Sequence, residues 1–209
     1  QQTLSTNRQP SLAETTRRTI RRYLLRAFGD PARSEDARTI ALPIRIAAQL
    51  ATGLALPARP LPPYPAELPS AMKAFHDWAS AVSGGRSIFT ILPRQRNIIL
   101  FGSALVAALL IMDARLHGYR IIACIDSNIH RQNDTLFGVD ILPPAWLRTR
   151  KAQQDLVVLT SEKDQEAYLE RLVHDLTQGE LEILSWKSLA NTVAPPRIPS
   201  APEGTNTNA

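Results

Sequence analysis

The pattern of apolar and polar positions is most regular between residues 97 and 190. An uncharged run, Ile98 to Met112, is interrupted at Gly102-Ser103 and closed by Asp113. The first part reads as a strand over 98–101 and the second as a helix over 103–116, ended by His117-Gly118. A second apolar run, 120–125, stops at Asp126 and leads into a polar loop over 126–135. Further short runs predict strands at 138–142, 155–160 and 181–185. Pro143-Pro144 opens a short helix reaching about residue 150. Tyr168, Leu169, Leu172, Val173 and Leu176 share one face of a helix over 164–177, closed by Gly179. Strands that are apolar throughout, rather than alternating, indicate a parallel sheet covered on both faces. A membrane span is a poor fit to Ile98–Met112: the run falls short of the roughly 20 residues required and carries a natural turn at Gly102.

The N-terminal half patterns differently. Residues 1–11 read as disordered. Residues 12–28 form an amphipathic helix with Ile20, Leu24 and Phe28 on one side and a stripe of Arg18, Arg22 and Arg26 on the other. Its cationic face is open to three readings: solvation with the apolar side docked on this protein, binding to an anionic membrane surface, or docking to a partner protein or to nucleic acid. Pro43 precedes a helix over 44–56. Six prolines within 57–69 make a spacer. Ser70 caps a helix over 71–83, on which Met72, Phe75, Trp78, Ala79 and Val82 form the apolar face, and Gly84-Gly85 ends it. Residues 86–96 read as an extra edge strand or a lead-in to the main domain. The Pro-rich stretch 191–209 reads as a disordered tail.

Charge sharpens this division. The net charge is +5, with +4 in residues 1–30, +4 in 31–96, −3 in 97–190 and zero beyond. The basic character belongs to the N-terminal half, so nothing in the charge marks the α/β part as a nucleic-acid module. The single cysteine, Cys124, excludes a disulfide or a cysteine-based metal cluster within the chain. His76, His117, His130 and His174 are scattered without metal-ligand spacing. The composition fits a cytoplasmic setting, with membrane association through 12–28 as an option.

The candidate chemistry lies at the strand ends. A dinucleotide fingerprint would place glycines where this chain has Gly102, Ala104 and Ala107. One glycine remains for the sharp turn, and the N-terminus of the following helix offers amides to an anion, with Ser103 as a further donor. Asp126, with Ser127 and Asn128, stands where such folds carry a ribose-binding acid; its alternative role is an Asx turn. Thr160, Ser161 and Glu162 end a later strand on the same sheet edge, where Ser161 could instead cap the next helix. His117 reads as a helix C-cap and His130 as a loop residue within reach of a ligand. No nucleophile–base pair and no phosphate-binding Gly-Lys-Ser/Thr loop can be assigned, so catalysis by the chain alone is left open.

The pieces IILFGSA, HGYRIIACIDSN, LFGVDILPPAWL and DLVVLTS give 97–162 a running pattern. It resembles the small Rossmann-like domains of bacterial surface-polysaccharide enzymes, both those of hexapeptide sugar acyltransferases and those preceding nucleotide-sugar dehydratases. The families carry additional glycines at the turn and often a second acid after the second strand, where this chain has Ala104 and Ser127. The resemblance implies an α/β fold, a three-layer Rossmann-like parallel sheet with an N-terminal helical extension. It implies phosphate near Gly102 and Ser103 and a nucleoside near Asp126 and Ser127, with Ala104 and Asn128 as flanking candidates read from the chain itself, and a ligand such as a UDP-sugar, NAD(P) or coenzyme A. The corresponding function is a nucleotide-sugar-binding accessory module. The alternative is a degenerate scaffold that docks to a partner or membrane through its basic N-terminal helix. A third reading is a small NAD(P)-dependent enzyme completed by another chain.

Overall fold

A computed structural model describes residues 37–53, 70–150 and 154–193. The basic helix expected over 12–28, the proline spacer and the tail beyond residue 193 lie outside the described residues. The described chain runs α1 (Ala37–Thr52), α2 (Ser70–Ser83), β1 (Asn97–Phe101), α3 (Leu105–His117), β2 (Arg120–Ile125), β3 (Thr135–Leu136), β4 (Val139–Leu142), a 3₁₀ turn (Pro144–Thr149), β5 (Asp155–Leu159), α4 (Glu166–Thr177), β6 (Glu182–Ser185) and α5 (Trp186–Val193).

Six strands form one sheet in the order β3-β4-β2-β1-β5-β6. All pairings are parallel except the short β3–β4 hairpin. The central strands are apolar because both faces are covered. On one side Ile98 and Leu100 join the core under α3, α2, α1 and α5. On the other, Ile99 and Phe101 pack with Leu147, Leu169 and Val173 beneath the 3₁₀ turn and α4. The chain leaves β1 toward β2 and returns after β4 to the opposite flank of β1. That reversal places the topological switch at the carboxyl end of β1, where open α/β sheets form their ligand crevice. The architecture is a three-layer Rossmann-like fold.

Several expectations shift in register or extent. Residues 86–96 form turns rather than an edge strand, and Ile88 and Phe89 plug the core with no exposed surface. The helix expected at 44–56 begins earlier and carries Pro43 inside it; it stops at Gly53, whose φ of +62° ends it in the left-handed region. Ser70 is the first helical residue rather than a cap, and its hydroxyl bonds to Asp164. Tyr168 points outward at 60 % exposure, leaving Leu169 and Val173 to anchor α4.

Two elements were not foreseen: the two-residue strand β3, and α5, which extends past the expected domain end at residue 190. Helix α5 sets Trp186 against Phe75, with ring centroids 4.7 Å apart. Residues 70–96 are therefore part of the same core as the sheet, not a separate lead-in. The near-complete burial of α3 has the same cause. Its sequence is apolar on all sides because it lies between the sheet and the layer of α1 and α2.

Candidate functional site

The run Ile98–Met112 bends where the sequence places the turn. Gly102 has φ +118°, a conformation that L-residues rarely adopt. A methyl group there would stand 2.2 Å from Thr160 Oγ1. The glycine is thus required by a protein neighbour: Thr160 lies over the turn, donating its hydroxyl to Phe101 O at 2.9 Å. The Gly102 amide itself donates to Ile125 O at 2.7 Å. These bonds lock the ends of β1, β2 and β5 together.

Helix α3 begins after Ala104, which makes no side-chain cap. Helix geometry leaves the first amides without intrahelical partners, and an alanine cannot satisfy them. This rim therefore presents a partial positive charge.

Asp126 reaches the same rim from the end of β2. Its Oδ1 accepts the Asn128 amide at 2.9 Å, the Asx turn read as its structural role. Its Oδ2 accepts the Ser103 hydroxyl. Arg131 completes the cluster, with Nη1 3.2 Å from Ser103 Oγ and 3.4 Å from Asp126 Oδ2. Gln132 Nε2 donates to Asp126 O at 2.9 Å and holds the loop against the strand end. Ser103 is buried with its hydroxyl already engaged, so Arg131, half-exposed and held by two long contacts, is the side chain free to turn toward an anion.

The remaining residues singled out in the sequence divide. Ser127, Asn128 and His130 are exposed on the loop, and Asn128 Oδ1 is occupied by the His130 amide at 3.0 Å. Ser161 does not cap α4, whose N-cap is Gln165. Its oxygen accepts the Lys163 amide at 3.2 Å and Gln165 Nε2 at 2.9 Å, a local turn. That turn is pinned from α5: Trp186 Nε1 donates to Ser161 O at 2.8 Å, and the buried Lys187 amine bonds Lys163 O and Asp164. The bond from Lys187, seconded by Ser70, holds the Asp164 carboxyl below its usual range.

Glu162 is half-buried without a hydrogen bond or ion pair among the described residues, and burial raises its pKa. Its isolation could not be read from the sequence. Arg131 could have been noticed as a cation five residues beyond a strand-end acid.

Cys124, beneath Asp126, is a buried thiol pushed up to about 12, by burial first and the Asp126 charge second. No group of three or more His, Cys, Asp or Glu among the described residues could hold a metal ion.

A second polar cluster lies at the other end of α3. Asp113, with no exposed surface, accepts Trp78 Nε1 at 2.8 Å, the Ile88 amide at 3.2 Å and the Ser87 hydroxyl. His117 Nδ1 lies 3.0 Å from the same carboxylate. That hydrogen bond raises the His117 pKa against the opposing effect of burial. The helix cap is Gly118, at φ +74°; His117 serves Asp113 instead.

The fold and rim together define a Rossmann-like domain with a basic and an acidic group paired at its topological switch. Comparison with protein-family models, curated proteins and solved structures gives no match for this chain.

Proposed function

We propose that the chain is a nucleotide-binding Rossmann-like module, taking a nucleotide-sugar or a related nucleotide-type ligand at the carboxyl ends of β1, β2 and β5. The carrying observation is convergence. The uncapped start of α3, the Arg131 guanidinium and the Asp126 carboxylate lie on one rim at the switch point. In this reading a phosphate takes Arg131 and the α3 amides. Release of Arg131 frees Asp126 Oδ2 to accept a ligand hydroxyl. Surface-polysaccharide assembly, in an accessory role, is the setting its sequence resemblance implies. Glu162, in the loop after β5, adds a half-buried carboxyl whose pKa burial raises.

Calorimetric titration with UDP-sugars, NAD(P) and coenzyme A tests the proposal. The expected outcome is a submillimolar Kd for at least one, weakened about tenfold or more in Arg131→Ala. Absence of binding to all of them removes the reading.

A second reading is a Rossmann-like scaffold without a ligand. Its support is that Thr160 fills the space over Gly102 and that Ser103, Asp126 and Arg131 satisfy one another. It predicts unchanged thermal stability in the presence of every nucleotide tried.

A further inference from the structure

The end of the sheet opposite the crevice has its own character. Helices α1, α2 and α3 all terminate there, at Gly53, Gly84-Gly85 and Gly118. The positions are tied together: Leu116 Cδ1 lies 3.5 Å from where a Cβ on Gly53 would stand, and the Arg94 guanidinium bonds His117 O while stacking 5.1 Å from the Tyr119 ring centre.

Around these helix ends stand four exposed arginines, Arg86, Arg94, Arg115 and Arg120. Arg94 and Arg115 bond only main-chain carbonyls, of His117 and Phe137. The guanidinium groups of Arg86 and Arg120 have no hydrogen bond or ion pair among the described residues. Among the described residues none of the four is paired with a carboxylate. Arg96, nearby, is neutralised by Glu182. Asp155, at the start of β5, is paired with Arg150, and Asp113 is buried. The described residues therefore leave the charge on the α2–α3 side of this rim uncompensated. Two of the large apolar side chains exposed on the molecule share it: Ile91 at 52 % and Leu116 at 45 %.

Helix C-termini attract cations, and that accounts for Arg94. It does not account for exposed isoleucine and leucine among four unpaired cations. Basic groups surrounding protruding apolar side chains are what an anionic lipid surface selects: the cations meet headgroups while the apolar tips enter the interface.

We infer that the amino-terminal rim of the sheet docks to an anionic bilayer, through Arg86, Arg94, Arg115 and Arg120 around Ile91 and Leu116. The attachment inferred is a peripheral one; no helix among the described residues is long and apolar enough to cross a membrane. It leaves the Gly102–Asp126 rim facing away from the lipid. The inference is independent of what that rim binds.

The test is co-sedimentation of the full chain with vesicles of phosphatidylcholine, alone or mixed with phosphatidylglycerol. Binding is expected to the mixed vesicles only, and to weaken with salt. Arg86→Glu with Arg120→Glu changes groups that hold no structural bond, so folding should be retained. It should cut binding about tenfold or more. Ile91→Asp should reduce it independently, and circular dichroism of each variant checks the fold. Three outcomes overturn the inference: equal binding to neutral and mixed vesicles, full binding by the rim variants, or binding to an acidic polypeptide but not to anionic vesicles. Full rim-variant binding together with loss on reversing Arg18 and Arg22 would assign the attachment to the N-terminal segment instead.

Discussion

An aspartate stands at each end of α3, Asp113 near its C-terminus and Asp126 at the end of β2 beside its start, and the contrast between them separates architecture from site. Asp113 is sealed: its carboxylate gathers a tryptophan, a serine, a main-chain amide and a histidine from three segments. Asp126 stands at the surface, with one oxygen spent on its own turn and the other shared between a hydroxyl and a loosely held arginine. A buried carboxylate with all its donors in place is costly to disturb and has nothing left to offer a guest. A part-buried one with a cation held only by long contacts beside it can exchange partners at low cost. Residue type alone does not distinguish them; burial and the number of fixed donors do.

Mutations make that contrast measurable. Asp113→Ala should be the most damaging, at about 3–5 kcal/mol in chemical denaturation, because it strands buried donors from Trp78, Ser87 and Ile88. Gly102→Ala should cost about 2 kcal/mol or more, from its positive φ and the contact with Thr160. The double variant with Thr160→Ala should recover part of that loss, and strict additivity would show that backbone strain alone is responsible. Asp126→Ala should cost about 1 kcal/mol, the scale of the turn bond it would lose. A loss as large as that of Asp113→Ala would erase the distinction drawn here. Arg131→Ala should change stability by only about 0.5 kcal/mol while weakening ligand binding about tenfold or more.

pH is the gentlest probe. The bond to Asp113 raises the folded pKa of His117 above 6.5. The stability it contributes is therefore complete below pH 6.5 and is lost as pH rises through the folded value. His117→Gln should flatten that decline. Glu162 acts in the same sense at lower pH, since burial raises it above 4.5, and Glu162→Gln separates the two.

Much of the fold is legible in the chain because the strands are short, apolar throughout and separated by glycine and proline. Gly102, Gly118 and Gly179 mark real turns, and the strand–helix–strand unit follows directly. What escaped notice has physical reasons. Strand β3 is two residues long and leaves no periodicity. Helix α5 follows β6 without a break, so no turn residue announces it. Pro43 suggests a helix start, but tertiary packing carries the helix through it. The role of Asp113 is invisible because its donors come from α2 and the 86–96 segment, brought close only by folding.

At the candidate site, the sequence points to Gly102 and Asp126 on one rim, and they do meet. It offers no sign that Thr160 would explain the glycine, that Ser103 would be consumed by Asp126, or that Arg131 would close the cluster. Each of these depends on side-chain contacts between segments distant in sequence.

The most direct test of the account is to follow the backbone amide resonances of Gly102, Ser103 and Ala104, with the Arg131 side chain, while a UDP-sugar is added to the labelled protein. Saturable shifts are expected at these four positions and at Asp126, with the Asp113–His117 end of α3 undisturbed. Saturable shifts confined to other surfaces, or none at this rim with any nucleotide-type ligand, would contradict it.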